Sequence, residues 1–138
     1  MTLSSERLIV ALDFADVASA REMTSRLATY DIAFKVGLEL FVAQGPRVLD
    51  ELREAGARRF FLDLKFHDIP NTMAGAVRSA AKEGVWMMNV HASAGSAALK
   101  RCADELTEGA GSSGLPRPIL IAVTVLTSLD ENALGQEL

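Results

Sequence analysis

Asp63, Lys65 and Asp68 place two carboxylates around one ammonium within the stretch Asp63-Leu-Lys65-Phe-His67-Asp68-Ile-Pro70-Asn71-Thr72. A cation held between fixed acids can stabilise negative charge developing on a substrate and then deliver a proton to it. The apolar run Phe60, Phe61, Leu62 precedes this stretch, between Arg58-Arg59 and a Pro-Asn turn signal, and reads as a buried strand. Side chains on a strand alternate between faces, so Asp63 and Lys65 are expected on the same face where that strand ends, with Asp68 just beyond. An arbitrary Asp-x-Lys-x-x-Asp is more often a solvated loop carrying a surface ion pair. The remainder of the chain has to decide.

The elements that would position these groups alternate along the sequence. Leu8 to Leu12 is a continuous apolar run ending on Asp13, the pattern of a strand buried on both sides. Asp16 is placed to cap a helix whose apolar positions Val17, Ala20, Met23 and Leu27 recur at helical spacing. Ile32-Ala-Phe34 leads into Lys35, Val36 and Gly37. Leu38 to Ala43 and Pro46 to Ala55 read as helix, interrupted at Gly45-Pro46 and stopped at Gly56. After the Asp63 strand comes an alanine-rich helix over Ala74 to Glu83, ended by Gly84, then a strand over Trp86 to Val90 that terminates in His91. Ala94 to Leu106 reads as the next helix. Thr107 to Pro118 holds three Gly, two Ser and two Pro in twelve residues and reads as an exposed loop. Ile119 to Val123 is a fifth strand, and Asp130 to Leu138 begins another helix.

Nearly half of the 138 residues are apolar, enough for one domain to bury a core. The net charge of -4, with acids and bases interspersed, argues against nucleic acid or an anionic membrane as the main partner. No apolar run approaches the roughly 20 residues of a membrane span, and Met1 to Glu6 lacks the basic and apolar segments of an export signal, so a soluble, cytoplasmic chain is expected. The single cysteine, Cys102, forms no internal disulfide and reads as a small core residue on a helix face.

Strands alternating with helices at roughly 25 to 32 residues per unit imply right-handed crossovers and a parallel sheet. An open doubly wound sheet and a closed barrel both satisfy that. The first strand is followed by Asp13-Phe-Ala-Asp, without the glycines of a dinucleotide-binding turn. Asp13, Lys35, Asp63 with Lys65, His91, and Thr124 with Thr127 each fall at or past the carboxyl end of a different strand, where barrel enzymes assemble their sites. The fold class expected is therefore α/β, a (β/α)8 TIM barrel. A barrel takes about 250 residues, so residues 1–138 are expected to form its first five units as a single domain, with the C-terminal units absent.

The block Asp63 to Thr72, with Val10-Ala-Leu-Asp13, Phe34-Lys-Val-Gly37, Asn89-Val-His-Ala-Ser93 and Ala122-Val-Thr-Val-Leu-Thr-Ser128, resembles the orotidine 5'-monophosphate decarboxylase family. The five signatures lie in the family's order along nearly the whole chain. The resemblance implies a homodimeric barrel that converts orotidine 5'-phosphate to UMP and CO2 in pyrimidine biosynthesis, with no metal and no organic cofactor. It implies a charged tetrad of Lys35, Asp63, Lys65 and Asp68, with Lys65 the proton donor. Asp68 would act across the dimer interface, Ile69 and Thr72 would line the neighbouring subunit's site, Asp13 and Lys35 would hold ribose hydroxyls, and Thr127 would contact the pyrimidine. The family's phosphate-gripping arginine belongs to a C-terminal part that has no counterpart in this sequence.

Two other readings stand beside it. Metal-dependent sugar-phosphate lyases and decarboxylases of the same superfamily share Asp-x-Lys-x-x-Asp, but resemblance places an acidic magnesium ligand in them where this chain has Lys35. A non-catalytic half-barrel would only self-associate through the strand edges of its first and fifth units. His91 reads as a residue supporting the barrel rather than a base, His67 as a loop donor, and Glu39 as part of a solvated helix face. Asp63, Asp68 and His91 have metal-ligand chemistry, yet Lys65 lies between the two acids and would compete with a cation.

Overall fold

The computed structural model describes residues 8–137. Its elements alternate: β1 (Ile9–Ala11), α1 (Val17–Leu27), β2 (Ala33–Gly37), α2 (Leu38–Gln44), α3 (Arg47–Glu54), β3 (Arg59–Phe66), α4 (Pro70–Lys82), β4 (Met87–His91), α5 (Ser96–Ser113), β5 (Ile119–Val123) and α6 (Glu131–Glu137). The strands form one parallel sheet in the order β1-β2-β3-β4-β5. Sequential order is that of consecutive barrel units and differs from a doubly wound sheet, whose order reverses at a switch point. The architecture is five units of a (β/α)8 fold. Among the described residues no helix is long and apolar enough to cross a membrane.

Strand alternation separates the two faces of the sheet. Leu12, Phe34, Val36, Phe60, Leu62, Met88 and Val90 are buried against the helices in one core with Leu49, Leu52, Met73, Val77 and Leu106. Parallel register aligns Ala11, Lys35, Phe61, Met87 and Ile119 as one row on the opposite face, with Gly37 and Asp63 paired one row above. The side chains available for chemistry therefore project from the face that does not pack on helices.

Strand β1 departs from the sequence expectation. The apolar pattern predicts β1 buried on both sides, but Ile9 and Ala11 are exposed and Val10 only partly buried; Ile119 and Ile121 of β5 are exposed as well. Both strands are sheet edges, and Ala11 and Ile119 belong to the row on the face that does not pack on helices. An apolar run shows that a strand suits a buried place, not that a neighbour is present to bury it.

Helix boundaries follow local chemistry where that chemistry is strong. Asp16 caps α1, accepting from the Ser19 backbone N at 2.8 Å and from the Ser19 hydroxyl at 2.9 Å. Gly45, at φ 68°, separates α2 from α3. Helix α4 begins at Pro70, four residues before the expected start, because proline's fixed φ and missing N–H suit a first helical position. The loop expected from Thr107 onward is corrected by the structure. Helix α5 continues through Ser113 and stops at Gly114, at φ 65°. Gly109 is buried against α4, and a Cβ there would lie 3.0 Å from the Arg78 carbonyl oxygen and 3.2 Å from its Cα. Its glycine thus serves close helix packing, a tertiary demand that outweighs its poor helix propensity.

Candidate functional site

Strand β3 is the element on which the site depends. Its pairing with β4 runs regularly to Leu62 and Met88, then resumes at Phe66 and Val90, so four steps on β3 match two on β4. The strand runs out just past Asp63 and Lys65, as the sequence suggests, but it bulges over Asp63, Leu64 and Lys65 before ending at Phe66. Lys65 sits at φ 49°, the only positive φ of a non-glycine among the described residues. A left-handed residue with a Cβ costs about 1 to 2 kcal/mol, so the surrounding contacts must hold it there.

Those contacts come from Asn89 on β4. Its side-chain Oδ1 accepts from the Lys65 backbone N at 2.8 Å, and its Nδ2 donates to Asp63 Oδ1 at 2.6 Å. Asn89 is 2 % exposed. The Lys65 side chain returns to the same acid, with Nζ 2.7 Å from Asp63 Oδ1. The other carboxylate oxygen, Oδ2, lies 3.4 Å from Lys35 Nζ, which also donates to Asp13 Oδ1 at 2.7 Å. Asp13, Lys35, Asp63 and Lys65 thus form a continuous run of alternating charge across the ends of β1, β2 and β3. Its formal charges cancel.

Two groups in the run are tuned by their neighbours. Burial opposes the Asp63 carboxylate, but hydrogen bonds from Lys65 and Asn89 and the charges of Lys65 and Lys35 outweigh it, holding its pKa below the ordinary value. Burial likewise opposes the Lys35 ammonium, and the hydrogen bond and charge of Asp13, with those of Asp63, raise its pKa despite that. The run opens on a hollow of about 150 Å³ lined by Leu12, Asp13, Lys35, Gly37, Asp63 and Lys65, among others. Gly37 has ordinary extended backbone, and its role is space: a Cβ there would stand 3.3 Å from Lys35 Nζ and 3.4 Å from Asp13 Oδ1.

The other expected site residues lie elsewhere. Asp68 is exposed, accepts from the Ile69 backbone N at 2.6 Å, and makes no ion pair with Lys35 or Lys65. Within one chain the charged run ends at Asp13, and Asp68, which the resemblance assigns to a neighbouring subunit's site, is not part of it. Ile69 and Thr72 are exposed at the start of α4, and Thr127 is exposed beyond β5. His67 and His91 lie with ring centroids 5.1 Å apart, tilted by 33°, beside a second hollow that also includes Ser93, Thr124 and Val125. Partial burial, with the nearby His67 and Lys65, lowers the His91 pKa. Glu39 is exposed, and Cys102 is fully buried, its thiol pKa raised by that burial. Asn89 falls within one of the signatures, but sequence reasoning assigns it no role. The available signal is a lone amide in an otherwise apolar strand, which must find partners if buried.

Residues 6–138 match the sequence pattern of the Orotidine 5'-phosphate decarboxylase / HUMPS family. The chain belongs to that family. It is 49 % identical over 134 residues to an orotidine 5'-phosphate decarboxylase of Moorella thermoacetica, an alignment covering 97 % of this chain and 53 % of the relative. A relative of the same name from Alcanivorax borkumensis is 51 % identical over 136 residues, covering 99 % of this chain and 56 % of the relative. The crystal structure of orotidine 5'-phosphate decarboxylase from Lactobacillus acidophilus superposes with a TM-score of 0.86 at 39 % identity, over 96 % of this chain and 58 % of that one. The chain spans about half the length of the curated relatives it matches.

Proposed function

We propose that this chain supplies the reacting half of an orotidine 5'-phosphate decarboxylase site, with Lys65 protonating the C6 carbanion left when CO2 departs. The observation that carries the reading is the alternating run Asp13, Lys35, Asp63, Lys65, held at the ends of three neighbouring strands above one hollow. Breaking the bond between C6 and the carboxylate leaves an electron pair in the plane of the pyrimidine, where the ring π system cannot spread it. A cation fixed beside that carbon stabilises the pair. The Lys65 ammonium then transfers its proton to C6 and is reprotonated from solvent. Asp63 orients that ammonium, and Asp13 and Lys35 are placed to take ribose hydroxyls. In this reading the enzyme is cytoplasmic and needs no metal or organic cofactor.

The remaining assignments belong to an assembled protein. Residues 1–138 are the first five units of a single barrel domain whose other units cover the edges of β1 and β5. Asp68, Ile69 and Thr72, exposed at the start of α4, reach the site of a second subunit in a homodimer, and Thr127 turns toward the pyrimidine. One ammonium cannot supply the whole acceleration. A unit-charge pair at 4 Å contributes roughly 4 kcal/mol at an effective dielectric near 20, against the roughly 8 to 23 kcal/mol that enzymes remove from barriers. The balance comes from binding remote parts of the substrate, chiefly the phosphate. The 138-residue polypeptide alone therefore turns over slowly or not at all.

A metal-dependent sugar-phosphate reaction fits the site less well, because the Lys35 ammonium already occupies the space between Asp13 and Asp63 where a divalent cation would sit. The test is a titration of the chain with a 6-substituted uridylate and with its phosphate-free nucleoside, followed by NMR at the lysine Nζ and carboxylate positions. Shifts at Lys35, Asp63 and Lys65 support the reading; a ligand that perturbs none of them refutes it. Joined to the C-terminal half of the Lactobacillus acidophilus relative, the chain is expected to decarboxylate orotidylate in the presence of chelator. There Lys65→Ala should abolish turnover while leaving UMP affinity within about tenfold. Turnover that requires added magnesium would overturn the metal-free mechanism.

A further inference from the structure

We propose that Asn89 is a positioning residue that fixes the Lys65 ammonium over the hollow by clamping both ends of the β3 bulge from the neighbouring strand. This rests on the reading of Lys65 as proton donor. The bulge removes its backbone from the regular ladder with β4, between the pairs Leu62 with Met88 and Phe66 with Val90. The Lys65 N–H would otherwise lack a strand partner there, and the Asn89 side-chain oxygen supplies one at 2.8 Å. The same amide's nitrogen binds the acid two residues earlier, at 2.6 Å from Asp63 Oδ1. A carboxylate can only accept and a backbone N–H can only donate, so these two partners fix the orientation of the amide.

The consequence is geometric. Asp63 and Lys65 are held at a set separation by one rigid, buried group, and Lys65 is kept in the left-handed conformation that points its side chain back to Asp63. No other residue type reproduces both contacts at that length. Aspartate keeps the acceptor but loses the donor and faces Asp63 with a like charge; glutamine carries the amide one methylene too far; alanine loses both bonds. The hydrogen bond from Asn89 is also one of the contacts that hold the Asp63 carboxyl below its ordinary pKa.

These differences define an experiment on the 138-residue chain that requires no turnover. Amide exchange at Lys65 is measured relative to Leu62, which lies before the bulge, together with the carboxyl titration of Asp63, in the wild type, Asn89→Ala and Asn89→Asp. In Asn89→Ala the Lys65 amide should exchange at least about tenfold faster relative to Leu62, which is the loss of roughly 1.4 kcal/mol of local protection. The Asp63 titration should move to higher pH in the same variant. In Asn89→Asp the Lys65 amide should stay protected while the Asp63 titration still moves up. If Asn89→Ala does not fold, the split within Asn89→Asp decides alone.

The proposal is overturned if Lys65 and Leu62 amides accelerate together in either folded variant, which marks a general loss of stability. It is equally overturned if Asp63 titrates unchanged in both variants. Adding the 6-substituted uridylate separates this inference from the functional reading. A wild type whose Lys65 signals ignore the nucleotide, with variants that behave as expected, leaves the clamp standing and counts against Lys65 as the proton donor.

Discussion

Replacing Asp63 by Asn tests the charged run most directly, because the change keeps shape and removes one charge from between two ammonium groups. The carboxylate lies 2.7 Å from Lys65 Nζ and 3.4 Å from Lys35 Nζ. At an effective dielectric near 20 these pairs attract by about 6 and about 5 kcal/mol before desolvation is counted. The lysine side chains are 32 % and 19 % exposed, so water screens both, and desolvation of Asp63 offsets part of the gain. A net loss of about 2 to 3 kcal/mol follows, between the values for exposed and buried pairs, or a fall in Tm of about 6 to 12 °C for a chain of this size.

The pH dependence carries the sign of the argument. The folded Asp63 pKa is depressed below its ordinary value of 3.8, so its contribution is complete above that value and is lost as pH falls through the folded pKa. Thermal unfolding of wild type and Asp63→Asn, followed by circular dichroism from about pH 7 downward, should show a gap that closes in strong acid. An Asp63→Asn variant as stable as the wild type near neutral pH would refute the reasoning, as would a gap indifferent to acid.

Three further outcomes follow from the packing. Gly37→Ala places a Cβ 3.3 Å from the flexible Lys35 Nζ; stability should change by less than about 1 kcal/mol in chemical denaturation, while the Lys35 Nζ resonance moves. Gly109→Val drives a branched side chain into the Arg78 backbone and should cost about 1 to 3 kcal/mol or more, read from the denaturation midpoint. Cys102, fully buried with a raised thiol pKa, should resist a thiol reagent at about pH 8 in the native chain and react once the chain is unfolded in denaturant.

Local pattern made much of the fold legible. Apolar runs marked all five strands, Asp16 and Gly45 marked helix boundaries, and polar residues at the strand ends indicated the face that carries the site. These features depend on a residue and its near neighbours, which is why a linear reading reaches them. The extent of α5 was not legible, because Gly109 looks like a helix breaker until α4 is packed against it. The exposure of Ile9 and Ala11 on β1 was not legible either, since burial is a property of neighbours.

For the site, residue types and spacing identified Asp63 and Lys65 as a pair, and strand ends supplied Asp13 and Lys35 as candidates. Only the tertiary structure decided that the run within one chain extends from Lys35 to Asp13 without including Asp68, and that the pair at the strand end sits on a bulge. It also decided that Asn89 is the group holding that bulge. The physical reason is common to all three: charge pairing and bulge geometry are settled by cross-strand contacts between residues far apart in the chain, and no local periodicity encodes them.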